Sequence, residues 1–176
     1  ERFAAFCMIR RHYSRSFDIE DVSMGGGGDT GIDALAIIVN NVLVTDSDTV
    51  DELAEQNGQL DVSFIFIQGK RTHGFDAASI GDFGFGVRDF FNPDPKITRN
   101  AEIQAAADLA GNIFTHAPIL RGRPSCQLYY VTTGKWQEEK DSVARRDAVI
   151  EDLNNLGTFG SIRFGCVGAE ELHAAY

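Results

Sequence analysis

The chain has 176 residues, 43% of them hydrophobic, which is enough for one proper core and points to a single domain. Its net charge of −10 excludes a surface generally attractive to phosphate backbones, since sequence-independent nucleic-acid binding draws on Lys and Arg that release counterions. A cleft can still be locally basic, or have its acidic groups neutralised by metal.

The first segment, ERFAAFCMIRRHYSR, reads as an amphipathic helix rather than a signal peptide, with Phe3, Phe6, Cys7, Ile9 and Tyr13 approximating an apolar stripe. No apolar run approaches the roughly 20 residues of a membrane-spanning helix, so no membrane partner is expected. Arg10, Arg11, His12 and Arg15 form a basic cluster of the kind that is usually a solvated helix face, with nucleic-acid contact as the less common role. Because a helical pattern begins at once at Glu1 and without methionine, the chain is expected to be a fragment of a longer protein.

Next, GGGGDTGID places five glycines and two aspartates in nine residues, directly before the apolar run ALAIIVN. Glycines there let a backbone approach closely or take positive φ, and a carboxylate can bind a hard cation through oxygen. A nucleotide loop fails on composition. GxxxxGK[ST] would need glycine where TTGKW has Tyr129 upstream, and GGGGD does not follow a strand as a dinucleotide-binding turn must.

The runs ALAIIVN and NVLVT meet at Asn40 and Asn41, a hairpin signal, and DTVDELAEQNG has the capping pattern of a short helix closed by Asn57 and Gly58. In LDVSFIFIQGK, Leu60, Val62, Phe64 and Phe66 share one face and Ile65 and Ile67 the other. That pattern predicts a strand covered on both sides, the best candidate for the centre of a sheet. Glycines weaken the helical pattern of FDAASIGDFGFGVRDFF, and NPDPK breaks the chain. TRNAEIQAAADLAGNIF then reads as a helix, QLYYVTTG as a strand, SVARRDAVIEDLNNLG as a helix closed by glycine, and SIRFGCVG as a last strand. The order predicts an α/β domain over residues 1–176, a mixed sheet with helices on its faces. Cys7, Cys126 and Cys166 are widely spaced and lack CxxC, which predicts buried, reduced thiols in a cytoplasmic protein rather than disulfides or a zinc site.

Chemistry concentrates at the end of the central strand, in FIFIQGKR, where Gln68 and Lys70 lie two apart and project from one face. Polar residues ending an apolar row usually mark a strand leaving the core. Here, however, a glycine-rich loop delivers Asp33 to one strand and, after a hairpin, the next strand delivers Gln-x-Lys. With GDTGIDALAII and FIFIQGKR in that order, the sequence resembles the PD-(D/E)xK nuclease superfamily, in the branch where glutamine replaces the second acidic residue, as in Mrr-like restriction endonucleases. The wider stretch, GGGDTGIDALAIIVN through DVSFIFIQGKRTHGFDAASIGDFGFGVRDFF, is most similar to the N-terminal region of the AIPR proteins, the abortive-infection phage-resistance family. The resemblance covers residues 1–91, and beyond them only the order of elements matches.

That resemblance implies a restriction-endonuclease-like core and an Mg²⁺- or Mn²⁺-dependent endonuclease acting on nucleic acid, DNA ahead of RNA, in the phage defence of a prokaryotic cytoplasm. It implies Asp33 as metal anchor, Gln68 as a neutral carbonyl ligand, the Gly69 carbonyl as a further ligand, and Lys70 as the group that orients water or offsets charge on phosphate. A first-helix glutamate often completes such a site, which points to Glu1 first and Glu20 second. Asp29, whose ordinary role is to bond its own turn, is a candidate supporting carboxylate. His73 is a candidate phosphate contact, with a solvated loop histidine as its plainer reading. A homodimer or a further C-terminal region is expected to supply affinity for nucleic acid. Two other readings stand beside this one. A catalytically inactive binding or scaffold module on the same fold suits the acidic surface, whereas a nucleotide-dependent phosphotransferase lacks the P-loop lysine and hydroxyl.

Overall fold

Strands β1 (Ala34–Val39), β2 (Val42–Leu43), β3 (Val62–Gly69), β4 (Ser125–Val131) and β5 (Ser161–Val167) form one sheet in the spatial order β2-β1-β3-β4-β5. The computed structural model describes residues 1–25 and 30–176. In it β1 runs antiparallel to both β2 and β3, while β3, β4 and β5 are mutually parallel. Helices α1 (Arg2–Arg10), α2 (Ser47–Asn57), α3 (Ala77–Phe90), α4 (Ala101–Thr115), α5 (Lys140–Asn154) and α6 (Ala169–Ala174) complete a mixed α/β fold.

The two-sided pattern of β3 decides the layering. Val62, Phe64 and Phe66 enter the larger core with Val50 of α2, Phe83 of α3, Ile113 of α4 and Leu153 of α5. Ile65 and Ile67 enter a second core with Ala4, Ala5, Met8 and Ile9 of α1. The sheet is therefore covered by α1 on one face and by α2 to α5 on the other, as the parallel crossovers after β3 and β4 require. The β1–β2 turn places Asn40 and Asn41 at φ 50° and 62°, the left-handed pair of a tight hairpin. Asn40 also accepts the Asp61 N–H at 2.8 Å and donates to the Gln59 carbonyl at 2.9 Å, tying the hairpin to the start of β3. In α2, Asp46 caps the Thr49 N–H and Gly58 closes the helix at φ 63°.

Two elements differ from their sequence patterns. The glycine-weakened segment forms a full helix, α3, capped by Asp76 on the Ser79 N–H at 2.8 Å. Each interior glycine forgoes up to about 1 kcal/mol of helix propensity. Burial of Ile80, Phe83, Val87 and Phe90 offsets that loss, and the glycines themselves admit close neighbours. A Cβ on Gly84 would lie 2.3 Å from a methyl of Val149 in α5, and one on Gly86 would lie 1.8 Å from the Thr30 carbonyl oxygen. The stripe on α1 is also rotated: Ala4, Ala5, Cys7, Met8 and Ile9 are buried, while Phe3 and Phe6 are 50% and 37% exposed. Small residues let this helix settle close on the sheet. Phe6 instead stacks on Phe17 with ring centroids 5.6 Å apart, and Phe3 lies 5.3 Å from the Tyr176 ring. Helix α6 and two short 3₁₀ turns, Ile19–Val22 and Ala117–Ile119, are additions to the expected order. The three cysteines are free thiols, Cys7 and Cys126 buried and Cys166 partly so. Among the described residues no helix is long and apolar enough to cross a membrane.

Candidate active site

The β1–β3 ladder ends with Ala34 opposite Ile67 near the carboxyl end of β3, and Asp33 is the residue just before that pair. The Asp33 N–H donates to the Ile67 carbonyl at 2.9 Å, and its carboxylate Oδ2 accepts the Gly69 N–H at 2.7 Å. Backbone bonds thus fix both the Cα and the carboxylate of Asp33 over the strand end. The start of α1 lies over the same point, since a Cβ on Gly69 would stand 3.3 Å from the Glu1 Cα. A side chain at this position would press on Glu1, which would have to give by a few tenths of an ångström. Glu1, Arg2, Ala5, Ser23 and Asp33 line a cleft of about 220 Å³ here.

Gln68 and Lys70 line a second cleft of about 250 Å³ with Gly31, Ser79, Asp82 and Phe85. Gly31 has φ +68°, and a Cβ there would come within 3.0 Å of the Gln68 amide nitrogen. The glycine serves the left-handed turn and the space for Gln68 together. Just before it, the buried Thr30 rests its carbonyl against Gly86, which clamps the end of the glycine loop to α3.

Charge within the site is finely opposed. Burial pushes the Asp33 carboxyl above its ordinary value and the Glu1 carboxylate adds to the rise, while the Gly69 N–H and the Lys70 ammonium pull it back. Glu1 and Lys70 therefore both act electrostatically on Asp33, with opposite sign. Gln68 is only 5% exposed, and its buried Oε1 has no hydrogen-bond partner among the described residues. Such an orphan costs on the order of 1–3 kcal/mol and calls for a functional reason. A carbonyl oxygen of this kind is a ligand that hard cations accept.

The candidate donors are all oxygens, a chemistry that fits Mg²⁺ or Mn²⁺ rather than softer metals, but they are divided: Asp33 and Glu1 line the first cleft and Gln68 the second. Among the described residues no group of three or more His, Cys, Asp and Glu side chains is arranged to hold a metal. The negative charge lies on Asp33 and Glu1 in the first cleft and on Asp82 in the second.

The remaining candidates fall elsewhere. Glu20 forms an exposed ion pair with Arg2 at 2.6 Å and so stands one residue removed from the Asp33 cleft. Asp29 lies outside the described residues. His73 is exposed, with Nδ1 3.0 Å from the Thr133 hydroxyl, and belongs to the loop contact after β4. The basic cluster is partly engaged by the fold: Arg10 donates to the carbonyls of Ser14 and Arg15, Arg11 to that of Glu171, and His12 shares a 2.6 Å hydrogen bond with the Tyr129 hydroxyl. Sequence reading missed Asp82 and Phe85. Their signal was the spacing of Asp82, Phe85 and Arg88, exposed positions three apart that become near neighbours on the surface of α3 when the segment is helical. No protein-family model, curated protein or solved structure matches this chain.

Proposed function

We propose that this domain is a metal-dependent nucleic-acid phosphodiesterase, an endonuclease of the PD-(D/E)xK type on a restriction-endonuclease-like core, serving anti-phage defence in a prokaryotic cytoplasm. One observation supports the reading: the backbone-anchored Asp33 carboxylate, the buried carbonyl of Gln68, which has no partner among the described residues, and the Lys70 ammonium all stand at the carboxyl end of β3, Asp33 in one cleft and Gln68 with Lys70 in a second. Asp33, Gln68 Oε1, the Gly69 carbonyl and Glu1 would hold Mg²⁺ or Mn²⁺. When bound, the ion supplies Lewis acidity and lowers the pKa of its water. Asp33 provides the anchoring charge, and Gln68 fills a ligand position without adding a second one. Lys70 faces phosphate and offsets the charge that develops on it. DNA is the preferred substrate over RNA, and a homodimer or a further C-terminal region adds the affinity that a net charge of −10 withholds.

A second reading, a catalytically inactive binding or scaffold module, is favoured by that acidity and by the lack of a three-ligand group among the described residues. Mn²⁺ calorimetry and cleavage of plasmid, single strand and RNA in Mg²⁺, Mn²⁺ and EDTA separate the two. Asp33→Ala is expected to lose both metal binding and cleavage. Lys70→Ala is expected to keep metal and fold while losing on the order of 10² to 10³ in rate. A wild-type domain that neither binds Mn²⁺ nor cuts any substrate leaves the inactive module standing.

A further inference from the structure

Phe85 lies midway along α3 with 53% of its surface exposed, beside a site that handles charge. Its ring borders two depressions. One is the cleft of Gln68 and Lys70, and the other, about 320 Å³, is lined by Arg88, Phe91, Pro93, Lys96 and Leu156 among others. Arg88 follows Phe85 by three residues on the same exposed helix face. Lys96 pairs with Asp94 in a contact where the two side chains are 61% and 83% exposed, and so weak a surface pair can exchange its carboxylate for phosphate.

The wall carrying Lys96 is held in place. Asp89 is 4% exposed, and its carboxylate accepts the N–H groups of Lys96 and Ile97 at 2.8 and 3.1 Å. Arg99 donates to the carbonyls of Asp89 and Phe90 at 2.9 and 3.1 Å, which pins the segment after α3 onto the helix end. The order along this face is then cation, aromatic ring, cation, cation: Lys70, Phe85, Arg88 and Lys96. Alternating phosphates and bases of a single strand ask for that order. Asp82 also lines the Lys70 cleft, and its charge opposes phosphate there, so stacking has to carry affinity that charge does not.

Building on the nuclease reading, we infer that the exposed face of α3 is a single-strand platform on which an unpaired base stacks against Phe85 while neighbouring phosphates meet Arg88 and Lys96. In a duplex both faces of every base are covered by neighbours, so Phe85 can be used only by a strand that is single or locally melted. A chain of net charge −10 gains little from counterion release, whereas stacking does not depend on charge.

The test measures fluorescence anisotropy of labelled oligo(dT), oligo(rU) and a duplex of equal length in EDTA, so that binding is read without cleavage. Phe85→Ala should weaken single-strand binding roughly 10- to 100-fold, with duplex binding and thermal stability little changed. Phe85→Trp should retain binding, and the added indole emission should be quenched by the oligonucleotide. Arg88→Ala should reduce the salt slope by about one. Comparing the dT and rU arms tells whether the platform takes DNA or RNA. If wild type binds or cleaves but Phe85→Ala holds single strands equally well, or loses duplex and single strand alike, this inference is overturned and the nuclease reading stands. A wild-type domain that neither binds nor cuts any of the three overturns both.

Discussion

Replacing Gly86 with alanine tests the clamp that joins α3 to the chain leading into Asp33. The added Cβ would lie 1.8 Å from the Thr30 carbonyl oxygen and 2.9 Å from its carbon, both backbone atoms. An ordinary C···O approach is about 3.3 Å, so one backbone must move by roughly 1.5 Å. Overpacking of this kind costs about 1–3 kcal/mol, and with backbone on both sides the upper end applies. Alanine returns about 1 kcal/mol of helix propensity, leaving a net loss near 2 kcal/mol. At this chain length that is a fall in Tm of about 4–8 °C. Gly111→Ala is the control, because Gly111 is exposed on α4 with nothing within 4 Å of its added Cβ. It should gain about 1 kcal/mol. Urea and thermal unfolding of both variants give the comparison, and Mn²⁺ calorimetry shows whether the displaced loop carries Asp33 out of place. Gly86→Ala as stable as Gly111→Ala would refute the clamp.

Three further outcomes follow from the site and the core. Asp33 has its folded pKa raised by burial above the ordinary 3.8, so its contribution to stability is full below the unfolded value and is lost as pH rises through the folded one. Asp33→Asn should therefore melt higher than wild type at neutral pH in EDTA while binding no Mn²⁺; a lower Tm there would mean that the Gly69 N–H and Lys70 outweigh desolvation. Gln68→Glu buries a second carboxylate at the end of β3 and should lower Tm in EDTA yet give a larger Tm gain on adding Mn²⁺ than wild type does. An unchanged Tm under both conditions would place the side chain outside the buried end of β3. Burial raises the Cys7 and Cys126 thiols above their ordinary value and pushes Cys166 up to about 12, so all three should alkylate slowly in the native protein and readily in urea. Rapid native labelling of Cys126 would contradict its place in the larger core.

Patterns confined to one element were legible in the sequence. The period of two in β3 set its burial on both faces, Asn40 and Asn41 marked the hairpin, and Gln68 stood at the end of the central strand as its place in the apolar row required. The first two depend on side chains a few residues apart, whose relation is set by local backbone geometry. What only the tertiary structure decided involves partners far along the chain. Gly84 meets Val149, Gly86 meets Thr30 and Gly69 meets Glu1, and these approaches turn a glycine-weakened segment into a helix and bring the first helix over the site. The face of α1 that is buried, and hence the exposure of Phe3 and Phe6, was likewise chosen by the small residues that let it lie close on the sheet. A glycine records only the absence of a side chain. Which backbone will occupy the space it leaves is fixed by the packing of elements that the sequence holds apart.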